Sequence, residues 1–233
     1  MGVTPPVARV AWKPSWRILP SRHLTVAHFE RVAEPQDLEA IFELEALTNP
    51  RLRDEAGDIR LVPAEDRVSG PGSSVIMGAF AHLNPSGSRF SDGTYGVFYT
   101  AASLDTAIAE TRYHRERFMR ATEEPRMDLD MRAHRVDLEG DLHDLRGQKA
   151  AQPLLYDPDN YAAGQELGRT LRQTGSDGIA YDSVRWAGGE CAAVFRPRLL
   201  SNVRSERHLC YVWDGVEIAG VYERREPVGD GPS

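Results

Sequence analysis

The chain has 233 residues, of which 41% are hydrophobic and 27% charged, and its formal net charge is −7. This length suits one domain with a well-packed core, and the acidic balance argues against direct nucleic-acid binding, which needs a basic surface. No apolar run approaches the roughly 18 to 20 residues that cross a bilayer, so the sequence predicts neither a membrane protein nor a nucleic-acid-binding protein.

The cysteines and the N-terminus predict a cytoplasmic protein. Cys191 and Cys210 lie in apolar, strand-like runs without CxxC spacing, which favours buried thiols over the alternative of a disulfide. The residues from Met1 to Trp16 lack the apolar stretch of a secretion signal. The seven histidines show no HxxxH spacing and no coupling to cysteine pairs, so no metal site is predicted.

Residues 1–58 are predicted to form an N-terminal extension packed on the core. The prolines near its start are expected to break any long element, leaving loops and one short strand or helix. After them, the apolar spacing over residues 35–49 predicts an amphipathic helix that ends before Pro50. The early prolines are Pro5, Pro6, Pro14 and Pro20.

Residues 59–223 are predicted to form the main domain, followed by a flexible tail at 224–233. A buried strand is predicted at 97–100, and Ser103 is a good N-cap for the helix that follows. The order of predicted strands and helices shows no regular βαβ alternation and predicts an α+β fold. The other predicted elements are a strand at 59–62, an irregular stretch at 77–85, an edge strand at 134–138, loops and short turns at 142–156, a helix at 161–173 stopped by Gly175, strands at 178–181 and 191–195, and a hairpin through Asp214-Gly215.

The run from Gly87 to Glu110 carries most of the candidate chemistry. Arg89 lies in a glycine-spaced polar loop, Tyr99 in the predicted strand and Glu110 in the capped helix. Glu110 lies about 100° from the centre of the apolar stripe of the helix, at an edge from which a carboxylate can point into a cleft. The alternative is an ordinary ion pair with His114 one turn later.

Arg60 and Ser183 are further candidates outside this run. Arg60 stands in the predicted strand at 59–62, where an arginine is commonly solvated or salt-bridged. Ser183 follows a strand break and precedes the Gly188-Gly189 turn, which suits ligand contact or an ordinary turn serine. Each residue therefore has a functional and a structural interpretation.

Arginine, tyrosine, glutamate and serine together suit a substrate with a pyrophosphate and a glycosidic carbon. Arginine binds phosphate through charge-assisted hydrogen bonds, and an aromatic side chain stacks on a flat ring. A glutamate can stabilise the positive charge that grows on a ribose as its base departs. Cleavage of the nicotinamide–ribose bond fits this set because nicotinamide leaves neutral, whereas the G-x-S-x-G motif of serine hydrolases is absent.

Several short motifs, in their order and spacing, resemble the RES domain, a family named for its Arg, Glu and Ser. The resemblance covers approximately residues 59–200. Phe90 stands where the family has tryptophan, Ser88 where it has glycine, and Cys191 where it has asparagine. The motifs are Ile59-Arg60-Leu61, Gly87-Ser88-Arg89-Phe90, Gly93-Thr94-Tyr95-Gly96-Val97-Phe98-Tyr99-Thr100-Ala101-Ala102-Ser103, Ala107-Ile108-Ala109-Glu110, Gly178-Ile179-Ala180-Tyr181-Asp182-Ser183-Val184-Arg185, Gly188-Gly189 and Phe195-Arg196-Pro197.

The resemblance implies a fold like that of the bacterial ADP-ribosyltransferase toxins, with a split β-sheet core and flanking helices. It also implies the toxin of a type II toxin–antitoxin pair, which uses NAD+ as substrate and is neutralised by an Xre-type helix-turn-helix antitoxin that blocks the NAD cleft. By correspondence, Arg60 and Arg89 would bind NAD phosphates, and Tyr99 would pack on the nicotinamide side. Glu110 would be the catalytic acid group, and Ser183 would assist it by holding the ribose or a phosphate.

The acceptor of ADP-ribose stays open at this point. A protein side chain is favoured because the N-terminal extension could select a macromolecular target. Phosphate or water as acceptor would make the protein an NAD+ phosphorylase or glycohydrolase. A non-catalytic nucleotide- or partner-binding module, in which Glu110 only pairs with His114, is a further alternative. A purely structural α+β protein would bind no NAD+ and cause no growth arrest.

Overall fold

The computed structural model of the chain describes residues 4–21 and 57–224. The predicted helix at 35–49 and nearly all of the predicted tail lie outside the described residues. None of the described helices is long and apolar enough to span a membrane. The described elements are strands β1 (Val7–Pro20), β2 (Phe98–Ala101), β3 (Met127–Asp144), β4 (Gly178–Asp182), β5 (Glu190–Val194), β6 (Leu200–Trp213) and β7 (Ile218–Glu223), and helices α1 (Ser73–Ala81), α2 (Leu104–Ala121) and α3 (Ala162–Gln173).

All seven described strands belong to one mixed sheet with the order β1-β2-β5-β4-β3-β6-β7. Strand β1 also pairs with β3, so five strands form a closed ring of pairings from which β6 and β7 extend. Only the β3–β4 pairing is parallel among the described pairs. A mixed sheet flanked by helices confirms the predicted α+β class.

Strand β1 corrects the prediction that early prolines break every long element. It spans 14 residues and pairs with β3 along most of its length. Pro14 is tolerated because it falls in the irregularity between Trp12 and Ser15, where the register with β3 shifts. Residues 7–20 are therefore part of the central sheet, whereas the limits of the N-terminal extension and the main domain remain a prediction.

Strand β3 corrects the prediction of a short edge strand at 134–138. It spans 18 residues and lies between β1 and β6, well inside the sheet. The alternation that suggested an edge arises because Val136 and Leu138 are fully buried, whereas Asp137 between them is only half-buried. One partly solvated face gives this pattern to central antiparallel strands as well.

Two other local predictions are also wrong, and a third is wrong only at its start. Residues Ile59–Leu61 form a 3₁₀ turn instead of a strand, and the Asp58 side chain caps it. The stretch predicted to be irregular contains the second half of α1, whose Met77 and Phe80 are buried. Burial of these side chains therefore stabilises a helix that no clear apolar period in the sequence predicts. The loops and short turns predicted at 142–156 are confirmed from residue 145 onward, including the 3₁₀ turn Pro153–Tyr156, whereas residues 142–144 belong to the end of β3.

Other local predictions are confirmed. The Ser103 side chain accepts a hydrogen bond from Thr106 N at the start of α2, as expected of an N-cap. Helix α3 lies within its predicted range, and Gly175 follows it with a φ of 85°. Strands β6 and β7 form the hairpin predicted from Asp214-Gly215.

The sheet divides the core into two clusters, one on each face, as the alternation along β5 shows. Cys191 and Ala193 face the first core cluster, whereas Ala192 and Val194 face the second. Helices α2 and α3 pack on the first face and α1 on the second. Members of the first core cluster include Ala107, Met119, Leu171, Tyr181 and Cys191, and members of the second include Ile59, Val62, Met77, Phe80 and Phe98.

Candidate active site

Glu110 and Ser183 form a direct contact on the α2 side of the sheet. The Ser183 Oγ atom donates a hydrogen bond to Glu110 Oε1 at 2.6 Å, and the backbone N of Val184 donates to the same oxygen at 3.2 Å. Burial lowers the pKa of His114, while the neighbouring Glu110 acts to raise it. The carboxylate is therefore near His114, as one alternative expected, but its hydrogen bonds go to the distant strand end.

The geometry of α2 explains why Glu110 reaches this strand end. Ala107 and Ile108 turn toward the first core cluster and leave Glu110 at the edge of the apolar stripe, as the helical period predicts. The turn after β4 comes close to α2 because Gly189 has no side chain. A Cβ atom at Gly189 would lie only 2.5 Å from Thr106 Oγ1.

The Ser183 hydroxyl uses its full hydrogen-bonding capacity within the protein. It donates to Glu110 and accepts hydrogen bonds from the backbone N atoms of Arg185 at 3.1 Å and Trp186 at 3.0 Å. A hydroxyl offers one donor and two acceptor lone pairs, so these three partners saturate it. In this arrangement Ser183 orients the Glu110 carboxylate, and its predicted contact with ribose or phosphate remains a prediction.

Arg89 lies under the segment that connects the 3₁₀ turn at 153–156 to α3. Its Nη1 atom donates to the carbonyl oxygens of Leu155 at 3.0 Å and Asp157 at 2.9 Å. Its guanidinium carbon lies 4.7 Å from the centre of the Tyr161 ring. The residue is 8% exposed, so this cation is held firmly in place.

Tyr99 holds the loop that carries Arg89. Its hydroxyl shares a 2.8 Å hydrogen bond with Ser88 Oγ and accepts one from Phe90 N at 2.9 Å. Burial raises the pKa of Tyr99 to about 12, so the hydroxyl stays protonated at neutral pH. Tyr99 thus positions the residues on both sides of Arg89, and its predicted contact with nicotinamide is a separate prediction.

Helix α3 approaches the same loop through two glycines one turn apart. A Cβ atom at Gly164 would lie 2.3 Å from the carbonyl oxygen of Arg89, and one at Gly168 would lie 2.1 Å from that of Phe90. Real Cβ atoms do not approach a carbonyl oxygen so closely. Only glycine therefore allows α3 to pack directly on the backbone that presents Arg89.

Replacement of Gly168 by alanine is expected to push α3 away from the Arg89 loop. Overpacking of this kind costs about 1 to 3 kcal/mol of stability, measurable by urea denaturation. Gly78→Ala is the matched control, because Gly78 also lies inside a helix and an added Cβ meets nothing within 4 Å. A Gly168→Ala protein as stable as the Gly78→Ala protein would contradict the close approach.

Three of the five predicted site residues influence the pKa of one buried side chain, Tyr181. Burial raises the pKa of Tyr181 well above its ordinary value, with Glu110 and Tyr99 adding to the rise and Arg89 opposing it. Ser183 joins the same group through its hydrogen bond to Glu110. The structure therefore brings Arg89, Tyr99, Glu110 and Ser183 together on the face of the first core cluster.

Arg60 lies apart from these four residues. Its side chain is 68% exposed, and its Nη2 atom lies 2.8 Å from Asp58 Oδ2. The flanking Ile59 and Val62 pack in the second core cluster, on the opposite face of the sheet. Arg60 thus forms an exposed ion pair, which was the structural alternative for this residue. Its role in phosphate binding remains a prediction.

Arg185 and Tyr113 lie next to the Glu110–Ser183 contact, although no role was predicted for them. The guanidinium carbon of Arg185 lies 3.4 Å from the centre of the Tyr113 ring, and its Nη2 atom donates to the carbonyl oxygen of Pro158. The Tyr113 hydroxyl donates to the Asp159 carboxylate. Helical spacing could have indicated Tyr113, which lies three residues after Glu110 on α2 and therefore on a neighbouring part of its surface.

The comparisons with known proteins place the chain in a family. A family model described as the RES domain matches residues 64–214, so the chain belongs to the RES domain family. The chain is 30% identical over 210 residues to the uncharacterized protein y4oC of Sinorhizobium fredii (strain NBRC 101917 / NGR234), a match that covers 89% of this chain and 86% of that protein.

One solved structure also aligns with most of the chain. It is the crystal structure of the M. tuberculosis MbcT–MbcA toxin–antitoxin complex, at 11% sequence identity and a TM-score of 0.44. The alignment covers 88% of this chain and 87% of that chain. A likeness at this TM-score carries no argument about function.

Proposed function

We propose that this protein is the toxin of a type II toxin–antitoxin pair that cleaves the nicotinamide–ribose bond of NAD+ and transfers ADP-ribose. The observation that carries the proposal is the Glu110 carboxylate, held by Ser183 Oγ at 2.6 Å on the same face of the sheet as the buried Arg89 cation. Membership of the RES domain family and the resemblance stated above support the same reaction. No metal is invoked in the proposed chemistry.

Glu110 has the geometry that charge stabilisation at a ribose requires. Its Oε1 atom receives both protein hydrogen bonds, and among the described residues no donor is hydrogen-bonded to Oε2. The fixed carboxylate can therefore present Oε2 to the substrate without losing its anchor. Pre-oriented charge of this kind lowers a barrier because the protein need not reorganise when the substrate's charge develops.

The reaction breaks the bond between C1′ of the ribose and the ring nitrogen of nicotinamide. The bonding electron pair leaves with nicotinamide, which becomes neutral, so the step needs no proton donor. Positive charge develops at C1′ and is stabilised by Glu110. An acceptor then forms a bond to C1′ and loses a proton. Arg89 would bind a phosphate of the dinucleotide by charge-assisted hydrogen bonds.

The acceptor is proposed to be a protein side chain, which would make the protein a mono-ADP-ribosyltransferase. Phosphate or water in the same position would instead yield a phosphorylase or a glycohydrolase that depletes NAD+. A cognate Xre-type antitoxin would silence either activity by blocking the cleft. These alternatives share the first bond cleavage and differ only in the molecule that attacks C1′.

The first expected result is release of free nicotinamide when the purified chain is incubated with NAD+. Chromatography of the small molecules would also identify the acceptor, because water yields ADP-ribose, phosphate yields ADP-ribose 1″-phosphate, and a protein acceptor becomes labelled by radioactive NAD+. Folded protein that leaves NAD+ intact would refute the enzymatic proposal. Calorimetric binding of intact NAD+ in that case would favour a non-catalytic binding module.

A further inference from the structure

The proposed site holds only one of the two cations predicted to bind the NAD phosphates. A pyrophosphate carries two negative charges, which arginines match well through paired hydrogen bonds. Arg89 lies on the Glu110 side of the sheet, but Arg60 is exposed and flanked by residues of the opposite core cluster. A second cation on the Glu110 side therefore needs a different source.

We propose that Arg185 is this second cation and that Arg89 and Arg185 together bind the pyrophosphate of the dinucleotide. The inference rests on the proposed function, since NAD+ is taken as the substrate. It replaces Arg60 by a residue that the structure brings to the same side of the sheet as Glu110.

The backbone of Arg185 is linked to Glu110 by hydrogen bonds through the hydroxyl group of Ser183. Its backbone N donates to Ser183 Oγ at 3.1 Å, and that hydroxyl donates to Glu110 Oε1 at 2.6 Å. Val184, the residue between Ser183 and Arg185, donates its backbone N to the same carboxylate oxygen at 3.2 Å. The turn that orients the Glu110 carboxylate is thus the turn that presents Arg185.

The Arg185 side chain extends toward the backbone segment at residues 157–158, which Arg89 also contacts. Arg89 donates to the carbonyl oxygen of Asp157, and Arg185 donates to that of the next residue, Pro158. After burial, which lowers the pKa of His114 most, Arg185 and Arg89 both lower it further. Two guanidinium groups that contact adjacent carbonyls are close enough to share one pyrophosphate.

The guanidinium of Arg185 retains unused hydrogen-bonding capacity. Its Nε atom is buried without a hydrogen-bond partner, and in the described part of the chain no carboxylate forms an ion pair with this residue. The stack on the Tyr113 ring, at 3.4 Å, fixes the guanidinium plane without occupying its edge donors. Because Nε is closed to solvent, an anionic ligand would use the Nη donors, of which Nη1 has no hydrogen-bond partner among the described residues.

The test is calorimetric binding of ADP-ribose, which contains the pyrophosphate but needs no chemistry. Arg185→Gln removes the charge and the Nη donors but keeps a polar side chain. We expect it to weaken ADP-ribose binding about 10- to 100-fold, the range for a lost charge-assisted hydrogen bond. Arg60→Ala is the control and should change the affinity less than about twofold, since Arg60 is exposed and flanked by residues of the opposite core cluster.

Several outcomes would overturn the inference. If Arg185→Gln binds ADP-ribose as the wild type does, Arg185 is not a phosphate ligand and only secures the Pro158 segment. An equal loss in Arg60→Ala would return the role to Arg60. Melting curves check folding, and Arg185→Lys should recover part of the affinity because it restores the charge.

The inference and the proposed function can fail separately. Wild-type protein that binds ADP-ribose through Arg185 but releases no nicotinamide would contradict the reaction and leave the inference standing. If the Arg185→Gln protein releases nicotinamide at the wild-type rate and with an unchanged KM for NAD+, only the inference is contradicted. Wild-type protein that binds no ADP-ribose would contradict the inference, and nicotinamide release would then decide the proposed function by itself.

Discussion

Replacement of Glu110 by glutamine is expected to reduce nicotinamide release from NAD+ by about 10²- to 10³-fold, the usual cost of losing one electrostatic stabiliser of a transition state. Glutamine has nearly the same shape and can still accept the hydrogen bonds of Ser183 and Val184 through its amide oxygen. Only the negative charge is lost. The effect should fall on kcat, because the positive charge on the ribose exists in the transition state and not in bound NAD+.

The control for this substitution is Asp105→Asn, which removes an exposed carboxylate from the first turn of the same helix. Its nicotinamide release should stay near that of the wild type. Melting curves of both variants should stay within a few degrees of the wild type, because neither residue contributes to the apolar core. Full activity in Glu110→Gln would remove Glu110 from the mechanism and leave the proposed reaction without its principal residue.

Replacement of Asp66 by alanine is expected to lower the free energy of unfolding by about 3 kcal/mol, the cost of breaking a buried ion pair by removing one partner. The Asp66 carboxylate is 1% exposed and contacts Arg196 Nη1 at 2.8 Å and Arg198 Nη1 at 2.5 Å. These contacts join the 3₁₀ turn Ala64–Asp66 to the segment between β5 and β6. Urea denaturation would measure the change.

Glu206→Ala is the matched control for Asp66→Ala. Glu206 pairs with Arg135 at 3.7 Å, and both side chains are at least 36% exposed. Such surface pairs contribute about 1 kcal/mol or less. Comparable losses in the two variants would mean that burial of Asp66 does not strengthen its ion pairs, contrary to the expectation.

The part of the site that lies within one stretch of chain could be predicted from the sequence. The strand containing Tyr99, the Ser103 cap and the helix carrying Glu110 follow each other closely, so β propensity, capping and helical period suffice to place them. The edge position of Glu110 on α2 also follows from the helical period. The same local signals misplaced Arg60, because a short apolar tetrapeptide fits a strand and a 3₁₀ turn equally well.

The partners of these residues could not be predicted in the same way. Residue 110 is hydrogen-bonded to residue 183, and Arg89 to the carbonyls of residues 155 and 157. Contacts over such distances depend on the order of strands and on close packing, such as that of Gly164 and Gly168 against the Arg89 loop. Neither the hydrophobic periodicity nor the secondary-structure propensity of a short segment indicates that order.

The sequence by itself determined the α+β class, the cap and edge geometry of the Glu110 helix, and the set of side chains with suitable chemistry. These properties depend on neighbours within a few turns of the chain. Only the tertiary structure decided that β1 joins the central sheet despite its prolines, that Ser183 holds Glu110, and that Arg185 and not Arg60 lies on the side of Arg89. Those outcomes depend on which distant segments pair and pack, because hydrogen-bond partners and burial are supplied by the whole fold.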